Sequence, residues 1–266
     1  MASPHGKTRI VITGKGGVGK TTLAALLAHV FARKGKSVLA VDGDPQQNLG
    51  ATLGLSPELA DSIVPLSEEK DYIEEKIGGG PGRGGFMVLN PATADVVDRF
   101  GVLAGNGIRL LVMGGVREAG SGCLCPEYTL LAAVFRNAAS LPDDVVILDT
   151  PAGLEHFGRA VAQGFSLALI VTDSSFNALS VARTLSHLAD QCGIKKTILV
   201  VNRVNGSTDK KKVHDMAGDL FSAVMFVPSD PCIPRYEPSV RPVVEQGCPV
   251  METVERIAGI VLHERE

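Results

Sequence analysis

Short runs of Val, Ile and Leu alternate along the chain with longer segments in which apolar residues recur every three or four positions. The first pattern reads as strand buried on both faces, the second as helix laid against a sheet. Strands are expected at 9–13, 37–41, 86–89, 108–113, 145–148, 167–172, 197–202 and 223–227, and helices at 20–34, 127–139, 178–191, 210–220 and 249–263. Strand and helix in alternation, joined by right-handed crossovers, predict an α/β fold: a doubly wound, mostly parallel sheet with helices on both faces and ligands at the carboxyl ends of the strands. Residues 55–77 are charged and helical in pattern, an expected insertion at the sheet's edge. The stretch Gly78-Gly-Gly-Pro-Gly-Arg-Gly-Gly85 is too rich in glycine for regular structure and reads as a loop or hinge. The strand expected after it returns the chain to the same sheet, so residues 1–266 are expected to form a single domain.

Composition narrows the classes. A chain of 266 residues, 45% hydrophobic and 21% charged, has the make-up of a soluble globular domain able to bury its own core. A formal net charge of −3 gives no global attraction to nucleic acid. The one tight basic run, Lys210-Lys211-Lys212, opens an expected helix and reads as a solvated face. No apolar stretch approaches the ~20 residues that span a bilayer, and the first residues lead into a strand without a leader-like apolar core. A cytoplasmic protein is therefore expected, with its five cysteines as reduced thiols.

The chemistry starts at the end of the first strand. Gly14-Lys15-Gly16-Gly17-Val18-Gly19-Lys20-Thr21 fits the phosphate-binding pattern G-x-x-x-x-G-K-[ST], with a strand before it and a helix after. Glycines are needed because backbone N–H groups must wrap a phosphate without side chains intervening. Lys20 brings a positive charge to the β and γ phosphates, and the Thr21 hydroxyl is placed to ligate Mg²⁺. The expected nucleotide-binding residues are Gly16, Gly17, Val18, Gly19, Lys20, Thr21 and Thr22.

With Lys15 included, Lys15-Gly16-Gly17-Val18-Gly19-Lys20-Thr21-Thr22 resembles the MinD/ParA/nitrogenase-iron-protein class of deviant Walker A P-loop ATPases. The resemblance implies that Lys15 contacts phosphate, often across a dimer interface. It continues in Asp42-Gly43-Asp44-Pro45-Gln46, which looks like switch I; Asp44 would orient the attacking water and Asp42 help hold the Mg²⁺ shell. Asp149-Thr150-Pro151-Ala152-Gly153 looks like Walker B and switch II, with Asp149 holding Mg²⁺ through water. Asn202 resembles the residue that reads the adenine edge, and Val227-Pro228-Ser229-Asp230 the loop beside the base. An Asp at one strand end is as often a turn or helix cap; four such segments in order argue for a common site. Asn202 is followed by Arg203-Val204-Asn205, not by the rest of the N-K-x-D of GTPases, which points to ATP and ADP.

One further segment sets this chain apart. Cys123-Leu124-Cys125-Pro126 follows a glycine-rich turn, and Pro126 suits the first turn of a helix. A helix N-terminus favours thiolate, the metal-binding form, although two small buried hydrophobes at a tight turn would also fit. Two sulfurs are half of a tetrahedral site. Cys192, Cys232 and Cys248 lie in separate segments without paired spacing and read as core or incidental residues. A second copy of the chain completes the set as an S₄ site, suited to Zn²⁺, or to Ni²⁺ if planar. Together with the context Met113-Gly114-Gly115-Val116-Arg117, the switch I stretch through Asn48-Leu49-Gly50, and Ala152-Gly153-Leu154-Glu155-His156, this segment resembles the CooC-type accessory ATPases. That resemblance implies an interfacial nickel or zinc ion bound by Cys123 and Cys125, slow Mg²⁺-dependent hydrolysis coupled to an ATP-state homodimer, and a nickel enzyme as client, carbon monoxide dehydrogenase or acetyl-CoA synthase. His156 is read as a structural histidine. An iron–sulfur electron-transfer ATPase would want a second cysteine shortly after switch II, where none stands. A positioning ATPase would want a basic amphipathic tail or a basic stripe; the tail finishes Glu264-Arg265-Glu266. Neither a membrane nor a nucleic-acid partner is expected.

Overall fold

A computed structural model of the protein describes residues 7–78, 88–114, 125–152 and 164–263. Its strands are β1 (Thr8–Gly14), β2 (Val38–Asp42), β3 (Val102–Leu103), β4 (Ile108–Val112), β5 (Val145–Asp149), β6 (Leu167–Thr172), β7 (Lys196–Val204) and β8 (Ala223–Pro228). The longer helices are α1 (Lys20–Arg33), α4 (Lys70–Ile77), α6 (Cys125–Asn137), α7 (Phe176–Cys192), α8 (Ser207–Ala217) and α11 (Val250–His263). Between them run the short α2 (Leu49–Leu53), α3 (Pro57–Ser62), α5 (Val96–Phe100), α9 (Cys232–Tyr236) and α10 (Arg241–Glu245). The sheet has the order β3-β4-β2-β5-β1-β6-β7-β8. Every pairing is parallel except β3 with β4. This is the doubly wound α/β fold read from the sequence.

Period-2 side-chain direction explains why the central strands are apolar throughout. Ile10 and Ile12 of β1 join one core cluster, with α1 and α11, while Val11 joins the other, with α6 and α7. Val38 and Ala40 of β2 divide from Leu39 and Val41 in the same way. α1 lies over the centre of the sheet, and Ala24, Ala25, Leu27 and Ala28 are buried to 1% or less. Its alanines let the helix approach the sheet closely.

Departures from the sequence reading are local. In the strand expected at 86–89, residues 86 and 87 lie outside the described residues; Val88 and Leu89 are not in a strand and are exposed. The edge of the sheet is instead closed by the two-residue β3, antiparallel and too short to carry a period. The segment at 55–77 is helical, as expected, and Leu66, Tyr72, Ile73 and Ile77 bury into the cluster containing Leu111 and Met113. Cys232 and Cys248, expected as unrelated reduced thiols, are joined as a disulfide across a separation of 16 residues. Sequence spacing hid the pair because two intervening short helices fold the chain back on itself. Among the described residues, no helix is long and apolar enough to cross a membrane.

Candidate nucleotide-binding site

Parallel strands bring their carboxyl ends to one edge, and register aligns the chemistry there. Asp42 of β2 pairs with Asp149 of β5, which pairs in turn with Ile12 of β1. The Thr150 hydroxyl donates to the Ile12 carbonyl at 2.9 Å, tying the end of β5 to β1 just before the phosphate loop. Gly14 must be glycine: a Cβ there would lie 2.1 Å from the Val171 carbonyl oxygen of β6.

The loop then turns through Gly17 (φ +77°) and Gly19 (φ +96°) into α1, whose first residue is Lys20. Lys20 is 6% exposed and donates to the Lys15 carbonyl at 3.3 Å. Burial holds its ammonium below the usual lysine value, while the Asp149 and Asp44 carboxylates pull the other way. A buried cation that opens α1, at the positive end of the helix, is a preorganised anion site. Lys15 itself is exposed. A cavity of about 520 Å³ opens here, lined by Gly16, Gly17, Gly19, Lys20, Thr21, Thr22, Asp44, Gln46, Asn48, Pro151, Ala152 and Arg203, and not by Lys15.

The carboxylates differ sharply. Asp42 is fully buried; one oxygen accepts from the Asp44 N–H at 3.0 Å, the other from the Leu49 N–H at 2.9 Å. It therefore staples the two ends of the 43–49 loop, and burial raises its carboxyl to about 6. Asp44, half-buried, accepts from the Gln46 N–H and faces the cavity. Asp149 is also fully buried, yet among the described residues neither of its oxygens has a hydrogen-bond partner of ordinary geometry. Burial pushes its carboxyl up to about 7, against the pull of the Thr21 hydroxyl and the Lys20 ammonium. A buried carboxylate without a partner, facing a hydroxyl, is the donor set a hydrated Mg²⁺ would complete.

A second cavity of about 410 Å³ adjoins the first. It shares Gly19, Thr22 and Arg203 with it and continues between Asn202 and Pro228, over the apolar floor of Leu23, Leu26 and Val200. Asn202 donates through Nδ2 to the Val18 carbonyl at 2.8 Å and accepts at Oδ1 from the Arg203 N–H at 2.9 Å. Its amide is thus a strut from β7 to the phosphate loop. That contact also dictates Gly19, where a Cβ would lie 2.4 Å from Asn202 Nδ2. Arg203 was not singled out in the sequence. It adopts φ +57°, uncommon for a residue with a side chain, and stands where the two cavities meet. Its signal is visible only after the fact, as the residue that breaks the N-K-x-D pattern.

Cys123 and His156 lie outside the described residues. Cys125 is described only as the residue that opens α6. Among the described residues, no group of three or more His, Cys, Asp or Glu is placed to hold a metal ion.

Comparison with known proteins agrees with this geometry. The CbiA family, described as the CobQ/CobB/MinD/ParA nucleotide binding domain, matches residues 10–242. An uncharacterised ATP-binding protein of Methanocaldococcus jannaschii is 41% identical over 225 residues, 84% of this chain and 85% of its own length. The carbon monoxide dehydrogenase accessory protein CooC of Rhodospirillum rubrum is 35% identical over 225 residues, 85% of each chain. Among solved structures, the MinC:MinD cell division protein complex of Aquifex aeolicus aligns with a TM-score of 0.65 at 24% identity, covering 95% of this chain and 96% of its own. That likeness speaks for the fold alone.

Proposed function

This chain belongs to the CobQ/CobB/MinD/ParA family of nucleotide-binding domains and is an ATPase, and from that premise we propose that it is a metal-handling accessory ATPase whose nucleotide state controls dimerisation. In this reading Lys20, the loop Gly16–Val18–Gly19 and Thr22 hold the phosphates of ATP or ADP, and Asn202, Arg203 and Pro228 border the base. Mg²⁺ would be held by Thr21 and, through water, by Asp149, supplying charge neutralisation for the leaving phosphate; Asp42 serves by fixing the loop that carries Asp44. Asp44 orients the water, and Lys15 reaches the phosphates of the partner copy in a homodimer.

The cargo is nickel or zinc on Cys123 and Cys125 of two chains, delivered in the cytoplasm to a nickel enzyme such as carbon monoxide dehydrogenase or acetyl-CoA synthase. The observation that carries this reading is the likeness to CooC over 85% of both chains, in a sequence that holds Cys-Leu-Cys. α6 starts at Cys125, and a helix start favours thiolate. The test is metal titration of untagged protein. One ion per two chains is expected, with binding lost in Cys123→Ser and Cys125→Ser while nucleotide binding persists. Saturation at one ion per chain, or metal bound as before by both variants, would overturn it.

A further inference from the structure

The wall of the base-side cavity remote from the phosphate loop is built from two chain segments. One supplies Pro231, Ile233, Pro234 and Glu237; the other, the start of α11, supplies Val250 and Val254. Asp230, 7% exposed, joins them: one oxygen accepts from the Cys232 N–H at 2.9 Å, the other from the Val250 N–H at 2.7 Å. Cys232 and Cys248 join the same two segments covalently, with Cα atoms 6.4 Å apart, a separation ordinary for a disulfide. Cys248 is buried in the core cluster beside Val250 and Met251, whereas Cys232 is half-buried against it. The span they enclose packs Val240, Val243 and Val244 onto the core and sends the Val240 N–H to the Thr52 carbonyl of α2 at 2.9 Å. The pair therefore closes a covalent loop from 232 to 248 and adds a cross-link between the two wall segments to the Asp230 hydrogen bonds that already join them.

We propose that Cys232 and Cys248 form a thiol–disulfide site that sets the rigidity of the pocket's base-side wall, and with it the affinity for adenine nucleotide. Its reactant is a dithiol, on a small molecule or on a reducing protein. The reductant's thiolate attacks Cys232 Sγ, on the more exposed residue of the pair, and forms a mixed disulfide. Cys248 leaves as thiolate and takes up a proton. The reductant's second thiol then displaces Cys232, so two electrons and two protons pass to this chain and the reductant ends as a disulfide. In a reducing compartment a disulfide is characteristically transient rather than structural, which suits a site read out by a nucleotide pocket. The proposal rests on the nucleotide reading above for its affinity readout only.

The experiment compares air-oxidised full-length protein with protein reduced by dithiothreitol. Peptide mapping of the oxidised protein is expected to find the 232–248 cross-link. Reduction is expected to weaken ATP binding several-fold and to speed amide exchange across 231–249. Cys232→Ser, under either condition, is expected to match the reduced wild type, which separates this pair from the other cysteines. Free thiols at both positions after oxidation, or identical exchange in the two redox states, overturns the proposal. Exchange is read on nucleotide-free protein, so a change in exchange without any ATP binding in either state would sink the nucleotide reading and leave the thiol site standing.

Discussion

At the scale of single residues, the site divides into groups that hold the loops and groups left free for ligand. Asp42 belongs to the first kind, since each oxygen accepts one backbone N–H from the 43–49 loop. Asp42→Asn keeps one acceptor and turns an amide N–H₂ toward a buried N–H donor. It should cost about 1–3 kcal/mol in ligand-free stability by denaturant unfolding, besides lowering turnover; an unchanged midpoint would show that the loop is held by something else. Gly19 is of the same kind. Gly19→Ala meets both left-handed backbone and Asn202 Nδ2, and should cost about 1–3 kcal/mol for the backbone alone. Because part of the clash is with a side chain, the cost should be smaller in an Asn202→Ala background, with a coupling of about 0.5–3 kcal/mol in a double-mutant cycle. Strict additivity would remove the strut from the account.

At the scale of elements, α1 carries the phosphate loop, and its grip on the rest of the fold is partly polar. His29, 3% exposed on α1, has its Nε2 3.1 Å from the Leu53 carbonyl at the end of α2, so Nε2 must carry the proton. Burial holds the imidazole below its usual pKa; the Leu53 carbonyl and Glu245 oppose this, and Arg241 and Arg33 reinforce it. Below the unfolded value near 6.5 the unfolded chain takes up a proton that the folded chain resists, so this contact loses stability as pH falls. Thermal melts of the ligand-free protein should therefore drop more steeply between pH 7 and 5 in the wild type than in His29→Gln, which retains a donor and does not titrate. Parallel curves would mean that the histidine is not the titrating group. The same logic explains why α2 escaped the sequence reading: five residues, Leu49–Leu53, are too few to show a helical period, and the helix stands because Asp42 and α1 hold both ends.

For the whole molecule, the proposed homodimer makes a prediction about Lys15. Lys15 is exposed and does not line the phosphate cavity, whose buried cation is Lys20, with Arg203 at its border. In the homodimer proposed above, an exposed lysine beside the phosphate loop would reach the nucleotide of the partner copy. Lys15→Gln should leave ADP affinity near that of the wild type and abolish ATP-dependent association, read by sedimentation with and without ATP. A variant that dimerises as the wild type does would remove Lys15 from the interface. Asp44→Ala should do the converse, keeping ATP bound and the association intact while hydrolysis stops.

The doubly wound sheet and its phosphate loop were legible in the chain itself, because both depend on local rules. Continuous apolar runs such as Val11–Ile12 and Leu110–Leu111 mark strands covered on both faces, and Gly14, Gly17 and Gly19 mark a backbone that side chains would obstruct. The identity of the candidate carboxylates was legible too, Asp42 and Asp149 as the last residues of β2 and β5 and Asp44 just beyond β2. Their division of labour was not: Asp42 and Asp149 look alike in sequence and pair in register, yet one spends both oxygens on a loop and the other has none spent among the described residues. Nor was the meeting of Arg203 with both cavities, or of Cys232 with Cys248, visible in spacing. These follow from long-range packing. Where distant segments converge, partner choice is set by which groups burial leaves without water, and a one-dimensional pattern carries no record of that.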